Sequence, residues 1–394
     1  MKRSLRYSVP ILIVLTLIGC DLFPEMNTIT YYRKINALEY EIAKTLIYPT
    51  GTEIEVLGDF VYDDPDIRFL GWSETEDGFD ISFEGGETIV LDTDIELYIQ
   101  RAIKTPESDF TYSLNEADEI VITGYVGDAQ EIMIPSTIEG FPVRIVGGIG
   151  GHGKSGIVSV FIDEGIREIG GVFNQMPNLQ FLTLPTSLET VGYGLLAGTS
   201  SIKKIRIPDG VETISPGAFS YSGIEEFHVS DANESFKTID GVLFSKDGKT
   251  IVSYPSKRSG DSYRIPNGVE IIGSSAFYDS TQISNLTIPD TVVEIENRGF
   301  NGIFVETIEL PSNLRVIGKE AFHNAYSLTE ITIPSSVTTM GEKVFYLAHR
   351  LTDIYCEAPS KPEGWSDQWS IKHYEHFTKP TTIHWNSTAT KEGP

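Results

Sequence analysis

The sequence has few cysteines, few cations and, after its first residues, no long apolar run. Only two of its 394 residues are cysteines, Cys20 and Cys356, so a framework of several disulfides is excluded. Lysine and arginine number 30 against 56 aspartate and glutamate, which gives a net charge of −26. A surface this acidic repels phosphate backbones, so nucleic acid is not an expected partner. No apolar run after residue 19 reaches the ~20 residues that a membrane-spanning helix needs.

The first twenty residues have the pattern of a secretory signal. A basic start (Lys2, Arg3, Arg6) precedes the apolar run Val9–Ile18. Leu17-Ile18-Gly19-Cys20 resembles the lipobox of bacterial lipoproteins, which implies cleavage before Cys20, acylation of Cys20 (palmitate among its chains) and anchoring to a bacterial membrane. Residues 1–19 are then the signal peptide and 20–26 a lipidated tether. Cleavage removes three positive charges, which takes −26 to −29. An ordinary secretory signal with an incidental cysteine is the other interpretation.

From residue 157 onward the sequence repeats with a period of 22 or 23 residues. We define an anchor position by the proline of each repeat. The anchors are Pro185, Pro208, Pro266, Pro289, Pro311 and Pro334, with spacings of 23, 58, 23, 22 and 23 residues. Asp163, Ser230 and Glu357 occupy the same position without proline. Fixed periods in this range are typical of solenoids, in which each coil stacks on the next.

Apolar residues recur at fixed distances from each anchor. Those one and three positions before it have the period of a strand buried on one face. Aliphatic residues follow three and six positions after it, and a glycine that permits a tight turn usually comes next. Eleven positions after the anchor come Leu196, Phe219, Phe277, Phe300, Phe322 and Phe345. Each coil is therefore predicted to hold a short strand, a turn and an aromatic plug that stacking buries.

The segments IPDGVETISPGAF and IPNGVEIIGSSAF (207–219 and 265–277) resemble the BspA-like leucine-rich repeats. The resemblance covers 110–386 and implies a mainly β fold, a leucine-rich-repeat solenoid of short strands and irregular turns. It also implies an amino-terminal cap at 110–147, an inserted hairpin at 231–262 and a closing cap at 357–386, followed by a tail at 387–394. Asp247-Gly248 is the hairpin's turn signal. Capping at both ends is what a solenoid requires.

Residues 27–100 do not follow the repeat. Strand-like segments alternate there with turns, and their order resembles the Listeria–Bacteroides repeat, a small β-grasp-like module of bacterial surface proteins. The matching residues are Tyr31, Tyr32, Tyr48, Gly51, Phe69, Gly71, Trp72, Asp77, Gly78 and Tyr98. The closing tryptophan usual in that family is absent. The segment ALEYEIAKTLIY (37–48) is compatible with a helix, which fits a grasp fold, and 101–109 is predicted to be a linker.

One segment resembles a nucleotide site. Gly148 to Ser155 matches the phosphate-binding loop residue for residue. A phosphate loop opens a helix, whereas residues 156–162 form an apolar segment that the repeat predicts to be a strand. We interpret the segment as a glycine-rich loop between repeats, so no nucleotide or other cofactor is expected.

Two groups of residues resemble metal sites, namely His373, Glu375, His376 and His384, and Asp63, Asp64 and Asp66. Neither group has an established zinc or calcium spacing, so surface histidines and a polar turn are favoured and no metal is expected. Cys356 occupies an inward position of the repeat and is predicted to be a small core residue rather than a nucleophile. The sequence contains no catalytic residue set that we can assign, and an enzyme is not predicted.

Residues between the inward positions of each strand point outward, and stacking places them on one face. An apolar and basic spot is predicted there, on an otherwise acidic chain, and aromatics and arginine are enriched at binding hot spots. The candidate ligand-binding residues are Phe161, Phe181, Lys203, Lys204, Arg206, His228 and Tyr355. We interpret the spot as a contact for an acidic or glycan-bearing partner. The other interpretation is a solvated face whose aromatics are covered by the amino-terminal cap.

These patterns together predict a non-catalytic lipoprotein displayed on the cell surface, in the outer membrane if the bacterium has one. Its expected partners are a protein or glycan on a host or neighbouring bacterial surface, and the membrane through Cys20. A structural envelope protein, and a scaffold or accessory of an extracellular hydrolytic system, remain as alternatives.

Overall fold

A computed structural model describes residues 25–34, 40–58, 66–75, 84–151, 153–370 and 381–387. Cys20 and the signal pattern, Asp63, Asp64, His152, His373, Glu375 and His376 lie outside these residues. The described chain consists of β-strands and turns, with one 3-10 helix at Glu107–Asp109. Across these ranges no helix is long and apolar enough to span a bilayer. The mainly β solenoid predicted from the sequence is confirmed.

The described residues between 25 and 103 form an amino-terminal module with its own core. The strands are β1 (Met26–Lys34), β2 (Tyr40–Pro49), β3 (Thr52–Glu55), β4 (Ile67–Ser73), β5 (Thr88–Leu91) and β6 (Ile95–Ile103). Four of them make one sheet in the order β2-β1-β6-β4, with β1 parallel to β6 and the outer pairs antiparallel; β3 pairs with β5. The rings of Tyr31 and Trp72 meet edge to face in the core, with centroids 4.9 Å apart.

Part of the segment predicted to be helical is a strand. Residues 40–49 form β2 and pair antiparallel with β1 along its length, so the helix prediction is wrong there. Residues 101–103, which the sequence assigned to the linker, continue β6.

The solenoid begins with an irregular first coil. Its strands are β7 (Phe110–Leu114), β8 (Ile120–Tyr125), β9 (Glu131–Ile134), β10 (Thr137–Ile138) and β11 (Phe141–Val146). The hairpin β7-β8 covers the open edge at this end. Strand β8 pairs in parallel with β11, and β11 and β9 then pair in parallel with β13 and β12 of the first regular coil. Strands at an open edge would otherwise present unpaired backbone groups.

Strands of the regular coils line up in two parallel ladders, each of which is divided into separately paired sheets. Strands of the first ladder end just before an anchor: β12 (Ser159–Ile162), β14 (Phe181–Thr183), β16 (Lys204–Ile207), β18 (Glu226–Val229), β22 (Ser262–Arg264), β24 (Asn285–Thr287), β27 (Glu330–Ile333) and β29 (Asp353–Cys356). Strand β30 (Thr382–Trp385), in the closing cap, pairs in parallel with β29. Strands of the second ladder follow the anchor: β13 (Glu168–Ile169), β15 (Thr190–Val191), β17 (Thr213–Ile214), β23 (Ile271–Ile272), β25 (Glu294–Ile295), β26 (Val316–Ile317) and β28 (Thr339–Met340).

The anchor prolines make the same turn in every coil. The proline carbonyl accepts a hydrogen bond from the N–H three residues later, at 3.2 Å for Pro185 and Leu188 and 3.1 Å for Pro334 and Val337. Six positions after the anchor, Ile272, Ile295, Ile317 and Met340 stand opposite one another in the second ladder. The 22- and 23-residue spacing of the sequence is therefore the register of the stack.

The aromatic plug is continuous through the second half of the solenoid. Phe277, Phe300, Phe322 and Phe345 are fully buried, and successive ring centroids lie 5.1, 5.5 and 5.7 Å apart. Each buried phenylalanine contributes about 1.5–3 kcal/mol relative to an exposed ring. Because each ring is covered by rings of the neighbouring coils, this stabilisation exists only in the stack.

An insertion divides the stack after β18. Strands β19 (Phe236–Ile239), β20 (Val242–Ser245) and β21 (Thr250–Ser253) form an antiparallel meander. The β19-β20 turn has positive φ at both Asp240 (49°) and Gly241 (71°), as a type I′ turn requires. The Asp247-Gly248 turn joins β20 to β21, which pairs in parallel with β23. The meander thus contains the predicted hairpin and occupies one coil's place in the second ladder.

Tryptophans close the far end. Trp365 and Trp369 are buried, with ring centroids 5.1 Å apart, and Trp385 lies 5.9 Å from Trp365. The Trp365 indole Nε1–H donates to the Val337 carbonyl at 3.0 Å. These rings cover the last phenylalanine of the plug, Phe345, whose centroid is 6.2 Å from that of Trp369.

Candidate functional site

The first ladder exposes one side of its strands, which we call the strand face. Its residues lie two and four positions before the anchor, because the residues one and three before it point into the core. Strand pairing places Phe161 opposite Thr183 and Arg206 opposite His228. Six of the seven candidate residues lie on β12, β14, β16 and β18 or one residue before β16.

Two cations, Lys204 and Arg206, lie on the strand face, and Lys203 lies one residue before the same strand; we call these three residues the basic row. Lys203, Lys204 and Arg206 are all exposed. The Lys203 ammonium lies 3.0 Å from a Glu225 carboxylate oxygen, with 52% and 46% of the two side chains exposed. Ion pairs this exposed contribute about 0–1 kcal/mol, so a ligand could replace Glu225 at little cost.

His228 stands at the edge of the basic row. Its Nε2 lies 3.1 Å from a Glu226 carboxylate oxygen. Partial burial lowers the pKa of His228 below its ordinary value, and the positive charges of Lys204 and Arg206 lower it further against the opposing effect of Glu226. The imidazole is therefore neutral near pH 7, and the row's positive charge comes from its lysines and arginine.

The two aromatics of the predicted spot contact the amino-terminal module. The Lys34 ammonium lies 4.9 Å from the ring centroid of Phe181, and the Arg68 guanidinium carbon lies 5.8 Å from that of Phe161. Arg68 also pairs with Asp163 at 2.8 Å. Both rings are half-buried. Cations of strands β1 and β4 in the amino-terminal module therefore cover these aromatics. The sequence had suggested the amino-terminal cap of the solenoid as their cover.

Buried polar contacts fix the module on the solenoid. Arg101 pairs with Glu131 at 3.4 Å, with only 6% and 11% of the side chains exposed. The Thr105 hydroxyl, which is also buried, accepts a hydrogen bond from the Met133 N–H at 2.8 Å. Lys34 is 7% exposed, and burial lowers its pKa. The predicted linker is therefore part of a packed interface.

Tyr355 lies elsewhere on the strand face. It belongs to β29, and β22, β24 and β27 lie between that strand and β18 along the stack. Its ring stacks on His384, with centroids 4.7 Å apart, and His384 Nε2 lies 2.9 Å from an Asp353 oxygen. The fold thus places Phe161 and Phe181 on the paired strands β12 and β14, places the basic row and His228 at the paired strands β16 and β18 of the next coils, and leaves Tyr355 in a separate group near the closing cap.

The sequence did not indicate a gap in the first ladder at residues 306–310. The alternation predicts a strand there, but none forms, and cavities of about 430 and 570 Å³ lie on its two sides. Thr307 and Glu309 line both cavities, and Glu330 and Glu357 line the first. The local sequence differs from its neighbours in spacing, since Pro289 and Pro311 are 22 residues apart and the pairs of proline anchors on either side are 23 apart.

The Lys154 side chain of the glycine-rich segment 148–155 is bound by neighbouring groups of the protein. The Lys154 ammonium donates to the Gly127 carbonyl at 3.0 Å and lies 4.8 Å from the Tyr125 ring centroid. Strand β12 follows at Ser159, and no helix begins between 153 and 162, as the repeat predicts. A Cβ on Gly150 would lie 2.4 Å from the Asn174 carbonyl oxygen, so coil packing requires glycine there.

The structure also locates Cys356 and tests for grouped metal ligands. Cys356 is fully buried and unpaired in the core, as predicted, and burial raises the pKa of its thiol to about 12. Within the ranges that the structure describes, no three histidine, cysteine, aspartate or glutamate side chains are grouped so that they could hold a metal ion.

The fold defines a class of protein: a capped solenoid of short parallel strands and irregular turns, with an exposed strand face. The sequence profile of the BspA type leucine-rich repeat region matches residues 152–259 and 253–361 in six copies. Together these matches span 152–361, which is 210 of 394 residues. The chain belongs to this leucine-rich-repeat family. No curated protein matches it.

Solved structures with the same kind of fold are distant. A leucine rich cell surface protein from Faecalibacterium prausnitzii is 19% identical with a TM-score of 0.43, covering 72% of this chain and 95% of its own. The pneumococcal vaccine antigen PcpA is 21% identical with a TM-score of 0.48, covering 86% and 89%. The leucine rich repeat protein of T. pallidum is 22% identical with a TM-score of 0.33, covering 63% and 90%.

Proposed function

We propose that this chain is a lipoprotein, anchored through Cys20, that displays its solenoid outside the cell as a non-catalytic binding protein. The basic row is its contact for an acidic or glycan-bearing partner on a host or neighbouring bacterial surface. The observation that carries the proposal is the placement of Lys203, Lys204 and Arg206, all exposed, together at strand β16 of a chain with a net charge of −26. The proposal for Cys20 is supported by the lipobox pattern alone.

The basic row can attract an acidic ligand by charge complementarity. An acidic ligand approaching the molecule is repelled by most of its surface and attracted here, which sets both the rate of encounter and the orientation of binding. The amino-terminal module limits the site on one side, because it occupies Phe161 and Phe181. The ligand-binding surface then consists of the basic row and His228, and the amino-terminal module forms its boundary on one side.

The proposal is tested with the double variant Lys203→Glu/Arg206→Glu and the matched control Lys249→Glu. Lys249 pairs with Glu270 at 2.8 Å, with 54% and 45% of the side chains exposed. This exposure is similar to that of the Lys203–Glu225 pair, but Lys249 lies outside the first ladder. Partners captured from host and bacterial surface extracts should bind at least tenfold more weakly to the double variant and unchanged to the control. Binding should also weaken as salt is raised. A double variant that binds as tightly as the wild type contradicts the proposal.

Anchoring is tested separately. Cells fed an alkyne-bearing palmitate analogue should label the wild type and leave Cys20→Ser unlabelled, while protease added to intact cells should degrade the wild-type solenoid. Labelling of the Cys20→Ser variant would contradict acylation at this residue, and protection until the envelope is opened would contradict surface display.

A further inference from the structure

Exposed tyrosines gather on the loops that follow the second ladder. We call this part of the molecule the loop side; it carries the residues 8 to 15 positions after each anchor. Tyr193, Tyr221 and Tyr326 lie here with 68%, 52% and 45% of their surface exposed. Tyr278 is half-buried beneath Tyr221, with ring centroids 4.9 Å apart in an edge-to-face arrangement. We call these four residues the tyrosine cluster.

The insertion is what brings the central pair together. Tyr221 and Tyr278 are 57 residues apart, yet the Tyr278 hydroxyl donates a hydrogen bond to that of Tyr221 at 3.1 Å. The meander occupies the intervening coil, so the loops before and after it meet. A Cβ on Gly217 would lie 3.0 Å from the Tyr193 ring. Burial, and then the neighbouring Tyr221, raise the pKa of Tyr326.

The backbone of Tyr221 is in a conformation that tyrosine disfavours. Its φ is 57°, in the left-handed region, where a bulky side chain costs free energy. Other coils place glycine, aspartate or asparagine at this position, 13 after the anchor, as in Gly198, Asp279, Gly302 and Asn324, all with positive φ. Leu347 is a second bulky exception, with φ of 62°.

Neither filling of the core nor backbone geometry accounts for the ring of Tyr221, whose packing contact with Tyr278 lies within the cluster itself. The core beneath it is already filled by Phe219, which is 5% exposed, and an asparagine would suit the turn better. Backbone strain of this kind is frequent at ligand-binding sites, and at Tyr221 it coincides with an exposed aromatic ring.

The chemistry of the cluster favours a sugar. Aromatic faces stack on the apolar C–H face of a sugar ring, and the tyrosine hydroxyls can exchange hydrogen bonds with its hydroxyls. At about 150–250 Å² per ring, the three exposed tyrosines present roughly 300 Å². A stable protein interface needs about 800 Å² on each partner. The surrounding charges are balanced, since Arg298 pairs with Glu320 at 2.6 Å and Lys257 with Asp279 at 3.5 Å, so no charge on the ligand is called for.

We propose that Tyr193, Tyr221, Tyr278 and Tyr326 form a binding site for a neutral oligosaccharide on the loop side of the solenoid. The site is separate from the basic row, uses other residues and recognises an uncharged ligand. It therefore goes beyond the function proposed above and does not depend on it.

The test compares Tyr221→Asn with Leu347→Asn. Both changes relieve the same strained backbone position in equivalent coils, and only the first removes a ring of the cluster. Migration of the full chain is measured by affinity electrophoresis in gels that contain a neutral glucan, mannan, xylan or galactan. We expect the wild type and Leu347→Asn to be retarded by at least one polysaccharide, and Tyr221→Asn to need at least tenfold more of it.

Three results would overturn the inference. The wild type passes all four gels without retardation, or Tyr221→Asn is retarded as strongly as the wild type. A protein partner whose capture depends on Tyr221, while Tyr221→Asn migrates in the gels like the wild type, would show a protein interface and would also contradict the inference. Lys203→Glu/Arg206→Glu should still be retarded, so failure of the basic row and failure of this site give different results.

Discussion

Removal of one ring from the aromatic plug tests whether stacking holds the coils together. Phe300 is fully buried between Phe277 and Phe322, at centroid distances of 5.1 and 5.5 Å. Phe300→Ala removes contacts with two coils and leaves a cavity, which costs about 3–5 kcal/mol in a packed core. The change in the free energy of unfolding is measured by urea denaturation followed by circular dichroism. Hydrogen exchange adds a local reading at Phe300 and Phe322, whose N–H groups bond to Ala321 and Val344 at 2.9 Å.

The matched control is Phe304→Ala in the same coil. Phe304 is 47% exposed, so the same chemical change should cost no more than about 0.5 kcal/mol. A loss below about 1 kcal/mol for Phe300→Ala, or equal losses for the two variants, would refute the argument that neighbouring coils stabilise one another through this stack.

Three further predictions concern a thiol, the module interface and pH. The Cys356 thiol, whose pKa burial raises to about 12, should resist Ellman's reagent at pH 8 until urea unfolds the chain; rapid reaction of the folded protein would show that it is not buried. Arg101→Ala leaves Glu131 without this buried partner, which should lower the free energy of unfolding by about 3–5 kcal/mol and speed proteolysis within 101–109. The control Arg167→Ala, which breaks an exposed ion pair, should not speed that proteolysis. Equal rates of proteolysis for the two variants would contradict a module fixed on the solenoid. Burial lowers the pKa of His228, so the unfolded chain binds a proton at this residue more readily than the folded chain, and His228 should reduce stability as the pH falls below about 6.5. The difference in Tm between the wild type and His228→Gln, measured from pH 8 to pH 5, should therefore shift in favour of the variant at acid pH. A difference that does not change with pH would contradict this.

The sequence predicted the stack because its determinants are periodic. Anchor prolines, the aliphatic pair and the plug recur at fixed offsets, so one coil's pattern, once seen several times, defines the register of all. Phe300 and Phe322 could therefore be assigned to the core, and Lys204 and Arg206 to the exposed side of their strand, from spacing alone.

What the sequence did not predict depends on contacts without a period. Arg68 and Asp163 are 95 residues apart, and nothing near either residue indicates that the module covers the aromatics of the strand face. Residues 40–49 contain good helix formers, but pairing with β1 decides their conformation, since strand formation depends on tertiary context more than on propensity.

The tyrosine cluster lies between these two cases. Its loop positions follow from the anchors, and extending the alignment to 13 positions past each proline would have shown tyrosine where glycine and asparagine are usual. The meeting of Tyr221 with Tyr278 could not be predicted, because it depends on how the meander fits between their coils.

The central claim is that the displayed chain binds its partner at the basic row, and site-specific photo-cross-linking tests it most directly. Thr183 and Thr287 are both exposed and both lie two positions before an anchor proline; Thr183 is in the coil beside the basic row and Thr287 is in the second half. Each is replaced in turn by photoreactive p-benzoylphenylalanine, and the protein is irradiated with surface extracts. Cross-linked partner at position 183 and little at 287 is the predicted result. Equal cross-linking at both positions, or cross-linking at 287 alone, would contradict the claim.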